Sequence, residues 1–192
     1  DLKSMPFVLE RVKAVKAFRM ASKAPSTQKH AATPTLFRDR NRPNTFIVVP
    51  RVSSENRKYI PMGFFGYESI VSDTCMSIPN GTLYNFGVLM SEMHMAWVKY
   101  TCGRLKSDFR YSKDLVYNNY PWPKEVSNKN KKAVETKAQN VLDIRAEFPE
   151  SSLADLYDPL TMPPKLVKAH QALDKAVDLC YRPQAFSNET TR

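Results

Sequence analysis

Residues 103–123 read GRLKSDFRYSKDLVYNNYPWP, and the fold of the chain turns on how that stretch is read. Arg104, Lys106, Arg110 and Lys113 fall within ten residues, interleaved with Phe109, Tyr111 and Tyr117. At the two-residue period of a strand, Arg104, Lys106, Asp108, Arg110 and Ser112 share one face, while Leu105, Phe109 and Tyr111 mostly share the other. The expectation is a ribbon with a charged face and an apolar back. Cations at such spacing suit phosphates or guanine edges, and they equally suit a solvated face.

The ribbon needs a support, and residues 82–102 supply one. Phe86, Met90, Met93, Trp97 and Tyr100 recur at helical spacing, which predicts one long helix ended by Gly103. His94 on that helix reads as a hydrogen-bonded core histidine, because no second ligand stands at metal spacing. Before the helix, TFIVVPRVSSENRKYIPMGFF (45–65) predicts a hairpin pairing 47–49 with 59–62. Ser53, Ser54, Glu55, Asn56, Arg57 and Lys58 form its tip, and Pro50 and Pro61 hold both runs to strand ends. Residues 69–78 read as a further strand, closed by the turn Pro79-Asn80-Gly81.

Upstream, residues 4–24 carry Val8, Val12, Val15 and Phe18 at helical spacing among basic residues. Pro25 ends the pattern. Residues 25–44 read as an ordered loop with Arg38, Arg40 and Arg42 as phosphate candidates. Downstream of Pro123 the composition changes. Helices are expected over 128–148, over a short run to Tyr157 capped by Ser151 or Ser152, and beyond Pro163-Pro164. His170 and Asp174, four residues apart, read as a surface pair. The predicted class is therefore α+β: a mixed domain over 1–123, with short strands on a long helix, then a small all-helical domain over 124–192. The start at Asp1 and the polar end FSNETTR read as a piece of a longer protein, incomplete at its end.

With 42% hydrophobic and 11% aromatic residues the composition is that of a globular chain. The net charge of +10 is unevenly placed: residues 1–124 hold 19 Lys/Arg against 9 Asp/Glu, and residues 125–192 hold 10 against 10. Such asymmetry points to one part facing a polyanion and a neutral part with another role. Cys75, Cys102 and Cys180 form neither a disulfide framework nor a metal motif, which fits a reducing cytoplasm. No apolar run of spanning length is present, so no membrane role is expected. Five scattered glycines make no nucleotide loop, and three dispersed histidines make no catalytic set. Glu135-Thr136-Lys137 lacks a metal-binding aspartate before it. The chain is expected to be non-catalytic on its own, with no metal or cofactor.

Four segments carry a family likeness: RVKAVKAFRMASKAPSTQKHAATPTLF (11–37), FIVVPRVSSENRKYIPMGFF (46–65), FGVLMSEMHMAWVKYTCGRLKSDFRYSKDLVYNNYPWP (86–123) and SLADLYDPLTMPPKLVKAHQALDKAVD (152–178). They resemble the C-terminal third of MmeI-like DNA methyltransferases of type II restriction–modification systems. The resemblance implies a target recognition domain followed by the family's C-terminal helical domain. It also implies a parent that binds S-adenosylmethionine and methylates adenine at N6 in a separate methyltransferase domain. Double-stranded DNA and that domain are the implied partners.

The resemblance points to the region of Lys106 and Asp108 as base-reading. A lysine can donate to guanine N7 and O6, and a carboxylate can accept from the N4 amine of the paired cytosine. A local Lys106–Asp108 salt bridge is the plain alternative. Arg110 and Arg104 flank the pair as base contacts. Arg51, Ser53, Ser54, Arg57, Lys58 and Ser112 are expected as backbone or secondary contacts, and residues 66–69 as a further reading loop. A basic scaffold domain for an acidic partner and an RNA-binding module are the competing classes.

Overall fold

The computed structural model describes residues 2–37 and 43–192, and the chain divides into two units, Asp1–Arg42 and Pro43–Arg192. In the first unit, a 3₁₀ turn (Leu2–Ser4) precedes α1 (Pro6–Met20), followed by α2 (Pro25–Lys29) and a second 3₁₀ turn (His30–Ala32). Both α-helices begin on proline, whose fixed φ suits a first turn and whose missing N–H costs nothing there. The loop expected from residue 25 onward is thus helical through Ala32, because Pro25 stands at the first position of a helix and α1 has already stopped at Met20. Arg19 donates to the carbonyls of His30 (2.9 Å), Thr33 (3.0 Å) and Leu36 (2.9 Å), which ties that segment back to α1. Arg38, Arg40 and Arg42 lie outside the described residues.

The second unit is α+β. β1 (Thr45–Pro50) is the middle strand of a three-stranded antiparallel sheet, between β3 (Gly63–Gly66) and β4 (Cys75–Pro79). Its Phe46, Ile47 and Val49 are buried. The partner of β1 is β3 and not residues 59–62, whose Tyr59, Ile60 and Met62 are buried without joining a ladder. Pro61 has no N–H to donate, so pairing starts only at Gly63. The strand expected over 69–78 likewise shortens to β4. Ser72 bonds the Thr74 hydroxyl (2.6 Å) and accepts its N–H (3.2 Å), while the Cys75 N–H goes to the Ser72 carbonyl. Such side-chain turns compete with the ladder for the same groups.

After the turn at Asn80, which has φ 55°, a Thr82–Asn85 capping box opens α3 (Leu83–Leu89). The single helix expected over 82–102 is two: α4 (Glu92–Thr101) starts afresh after Met90-Ser91. Ser91 causes the break. Its hydroxyl donates to the Val88 carbonyl at 2.7 Å and accepts the His94 N–H at 3.4 Å, so it caps one helix and starts the next.

Three helices complete the unit: α5 (Asn128–Ala146), α6 (Leu153–Leu156) and α7 (Pro164–Tyr181). Ser127 caps α5 and a Ser152–Asp155 box caps α6, as the sequence suggests for the latter. One core runs through sheet and helices, from Ile47 and Phe86 to Val134, Leu173 and Val177. Gly87 shows how closely α3, α5 and α7 meet. A Cβ there would stand 2.7 Å from Val134 Cγ1 and 3.2 Å from Ala138 Cβ.

The core also encloses polar groups. His170 and Asp174, expected at the surface, are 0% and 4% exposed. They lie on the inner face of α7, where Tyr59 stacks on His170 with ring centroids 4.1 Å apart. Arg145 on α5 donates from Nε to the Tyr157 hydroxyl at 2.8 Å and from Nη1 to the Met62 carbonyl at 2.7 Å. Tyr157 in turn donates to His170 Nε2 at 2.7 Å. The direction follows from charge: burial beside Arg145 lowers the His170 pKa to about 3, so its imidazole is neutral and Nε2 accepts.

Candidate nucleic-acid interface

A second antiparallel sheet carries the charged stretch. Its order is β2–β6–β5, with β2 (Val52–Ser53), β5 (Gly103–Leu105) and β6 (Asp108–Arg110). β5 and β6 form a hairpin in which Leu105 faces Asp108 across a two-residue turn, Lys106-Ser107. Lys106 sits there at φ 56°, in the left-handed region. The ribbon is therefore shorter and sharper than a continuous strand from 104 onward.

This turn changes which residues share a face. Directly opposed residues of an antiparallel pair point the same way. Val52, Arg110 and Gly103 form one cross-strand row, and Asp108 and Leu105 the next, all on one face. Arg104 and Ser53 are opposite Phe109, on the other face. The single charged face expected of Arg104, Lys106, Asp108, Arg110 and Ser112 is thus corrected: the chain reversal at Lys106-Ser107 interrupts the alternation. Leu105, assigned to the apolar back, joins the exposed face.

Each expected contact residue now has a place. Arg110 is exposed. Asp108 is half-buried and accepts the Glu55 N–H at 3.4 Å, tying the hairpin to the 54–58 loop. Lys106 is exposed at the turn, and no ion pair joins it to Asp108 among the described residues. Arg104 lies over the Phe109 ring at 4.2 Å and donates to the Ser107 carbonyl at 2.9 Å, so it stiffens the turn. The Ser112 hydroxyl accepts the Leu115 N–H at 3.4 Å and caps a π-helical turn, Lys113–Tyr117.

The 53–58 loop divides differently. Ser53 is 3% exposed, and the Ser54 hydroxyl accepts the Asn56 N–H. Arg57 reaches the Ala154 carbonyl at 3.3 Å, and Lys58 pairs with Glu92 and stands 5.7 Å from the Tyr59 ring centre. These side chains hold the loop to the helices. The 66–69 loop presents Tyr67, 65% exposed, on a turn closed by the Ser69 N–H to the Gly66 carbonyl.

Arg51 links the two sheets. Its N–H goes to the Thr74 carbonyl (2.9 Å), and its carbonyl accepts the Tyr111 N–H (2.8 Å). With the backbone so engaged, the exposed side chain lines an open groove of about 560 Å³ together with Arg110, Val52, Leu105, Thr74 and Cys75. Two cations, one from the link between the sheets and one from β6, thereby line the same groove. Sequence reading missed Thr74 and Cys75, which looked like the middle of a strand. The available signal was the hydroxyl-rich Ser72-Asp73-Thr74, a turn composition inside an apolar run.

The ribbon is braced from behind by α4, as expected. His94 is buried, with Nδ1 at 2.8 Å from the Leu89 carbonyl and Nε2 at 2.9 Å from the Tyr111 hydroxyl. Burial holds its pKa at about 4, so the ring is neutral. Nδ1 donates to the carbonyl, and Nε2 accepts from Tyr111. Trp97 Nε1 donates to the Val116 carbonyl at 3.0 Å, and Phe109 is buried under the ribbon. Among the described residues no cluster of His, Cys, Asp and Glu has metal-binding form, and no helix is long and apolar enough to cross a membrane.

Comparison with known proteins covers the whole chain. It is 44% identical over 192 residues to DNA methyltransferase A of Bacillus subtilis (strain 168), covering all of this chain and 22% of that protein. The solved structure of the type IIL restriction-modification enzyme MmeI in complex with DNA superposes on all of this chain with a TM-score of 0.89 and 42% identity. The chain covers 26% of that enzyme, so it spans about a quarter or less of the length of either relative. Residues 1–124 match the MmeI target recognition domain and residues 126–192 the MmeI C-terminal domain, and the chain belongs to the MmeI-like restriction–modification DNA methyltransferases.

Proposed function

We propose that this chain is the module that reads double-stranded DNA for an adenine-N6 methyltransferase, with residues 1–123 recognising DNA and residues 124–192 bracing the 43–123 portion. The observation that carries the reading is the convergence of Arg51 and Arg110 on one open groove, beside a hairpin whose turn displays Lys106. A two-stranded ribbon fits the major groove, where guanine offers N7 and O6 to cations and cytosine offers N4 to a carboxylate. Lys106 and Asp108 read one G·C pair. Arg110 reads a neighbouring base, and Arg51 takes a base or a phosphate. Arg104, Ser53, Arg57, Lys58 and Ser112 act indirectly, by fixing the ribbon and loop.

Catalysis and S-adenosylmethionine binding belong to a methyltransferase domain of the same protein, against which this module clamps DNA in the cytoplasm. Support comes from the relatives, named as a DNA methyltransferase and as a restriction-modification enzyme in complex with DNA.

Mapping of methylated adenines tests the reading. The complete protein is expressed in a host without modification enzymes, beside a Lys106→Glu/Asp108→Arg variant. One G of the modified motif should become C, since arginine would then reach the guanine of the opposite strand. An unchanged motif overturns the role of the pair. Tighter binding to single strands or to an acidic protein than to duplex overturns DNA reading altogether.

A further inference from the structure

The outward face of the β2–β6–β5 ribbon is not uniformly polar. Val52 and Leu105 are 41% and 50% exposed and stand on the same face as Arg110 and Asp108. Val52 is opposite Arg110 on one side. On the other side Arg110 is opposite Gly103, which has no side chain, and Leu105 lies two residues further along β5. On this face the Arg110 position thus has an apolar residue directly opposite on β2, another diagonally across on β5, and a vacant position at Gly103. All three of these side chains line the groove shared with Arg51.

A face designed only for phosphates gains nothing from a leucine and a valine in water, whereas base edges in the major groove include one apolar group. That group is the C5-methyl of thymine, also present in 5-methylcytosine, and it is read by apolar contact. We propose that Leu105 and Val52 form a methyl-reading notch for the C5-methyl of a pyrimidine, adjacent to the base that Arg110 reads. This rests on the DNA-reading function proposed above and adds a specificity determinant to it. Burying one methyl group corresponds to about a fourfold change in affinity.

The test uses the complete protein and duplexes containing its modified motif. Each thymine of the motif is replaced in turn by deoxyuridine, which removes only the methyl, and each cytosine by 5-methylcytosine. If thymine is the ligand, one deoxyuridine duplex binds about fourfold more weakly. If the notch faces a cytosine, one 5-methylcytosine duplex binds more tightly instead. In Leu105→Ala, the responding position should lose its methyl dependence, with a ratio near one, while preference for the motif's G·C pairs persists. Val52→Ala gives an independent second variant at the other wall. No methyl-dependent position, or an undiminished ratio in both variants, overturns the notch. Equal affinity of the unmodified motif and a scrambled duplex would instead overturn the DNA-reading function itself.

Discussion

Asp174 on α7 caps α4 from the opposite layer: its Oδ1 accepts the Glu92 N–H at 2.8 Å, and its Oδ2 accepts the Tyr59 hydroxyl at 2.7 Å. Glu92 also pairs with Lys58 and, at 2.7 Å, with Arg192, while Arg192 Nη2 lies 3.0 Å from Asp178. The segment between β2 and β3 is therefore fastened to α7 by one compact set of hydrogen bonds and ion pairs. A helix N-terminus favours a carboxylate, yet burial wins at Asp174 and raises its pKa to about 7.

A pH dependence follows. In the unfolded chain Asp174 titrates near 3.8, so between pH 4 and 7 the folded state binds the extra proton. This group's contribution is complete below pH 4 and is lost as the pH rises through about 7. Asp174→Asn keeps an acceptor for Glu92 and removes the titration. Urea denaturation should show wild type losing stability relative to Asp174→Asn from pH 4.5 to 7, by up to about 1.4 kcal/mol per pH unit. His94 and His170, with depressed values near 4 and 3, act in the reverse sense but equally in both proteins. Parallel curves would contradict the assignment.

Arg145 is buried and held by neutral acceptors, the Met62 carbonyl and the Tyr157 hydroxyl. Arg145→Met fills much of the volume but leaves those acceptors bare, at a cost of about 1–3 kcal/mol for a buried unpaired group. Its charge is also one cause of the low His170 value. Imidazole NMR signals should accordingly show His170 titrating at higher pH in the variant. His94, whose low value comes from burial, should stay where it is.

Gly87→Ala inserts a methyl where α3 meets α5 and α7, 2.7 Å from Val134 Cγ1 and 3.3 Å from Leu173 Cδ1. Helix propensity favours alanine by about 1 kcal/mol, whereas overpacking costs about 1–3 kcal/mol. The branched Val134 and the short Ala138 cannot swing aside, so overpacking outweighs propensity and the net effect is destabilising by up to about 2 kcal/mol. A lowered urea midpoint with unchanged m would confirm it, and adding Val134→Ala should recover part of the loss.

Much of the architecture was legible because it is encoded locally. Capping residues, prolines and helical periodicity locate α5, α6 and α7, and His94 reads correctly as a core histidine. Ser91 is the counterexample. A serine within an apolar period looks harmless until its hydroxyl takes over capping duty, and the helix divides there. Asp174 failed for a different reason: its partners Tyr59 and Glu92 are 115 and 82 residues away, a separation no spacing rule reaches. At the candidate site the relevant residue types were visible, but their faces were not. The turn at Lys106-Ser107 carries no glycine, asparagine or proline to announce it.

That turn yields the last prediction. Lys106 holds φ 56°, where a non-glycine residue pays about 1–2 kcal/mol in steric strain. Lys106→Gly relieves the strain and, after the greater chain entropy of glycine, should raise stability by about 0.5–1 kcal/mol. The same change deletes the cation proposed to reach guanine, so discrimination at one G·C pair should fall by about 1–3 kcal/mol. Thermal unfolding and competition binding with single-pair substitutions read the two effects separately. Opposite signs mark a residue retained for recognition at the expense of the hairpin. A loss of stability together with unaltered discrimination would show that Lys106 serves only the turn.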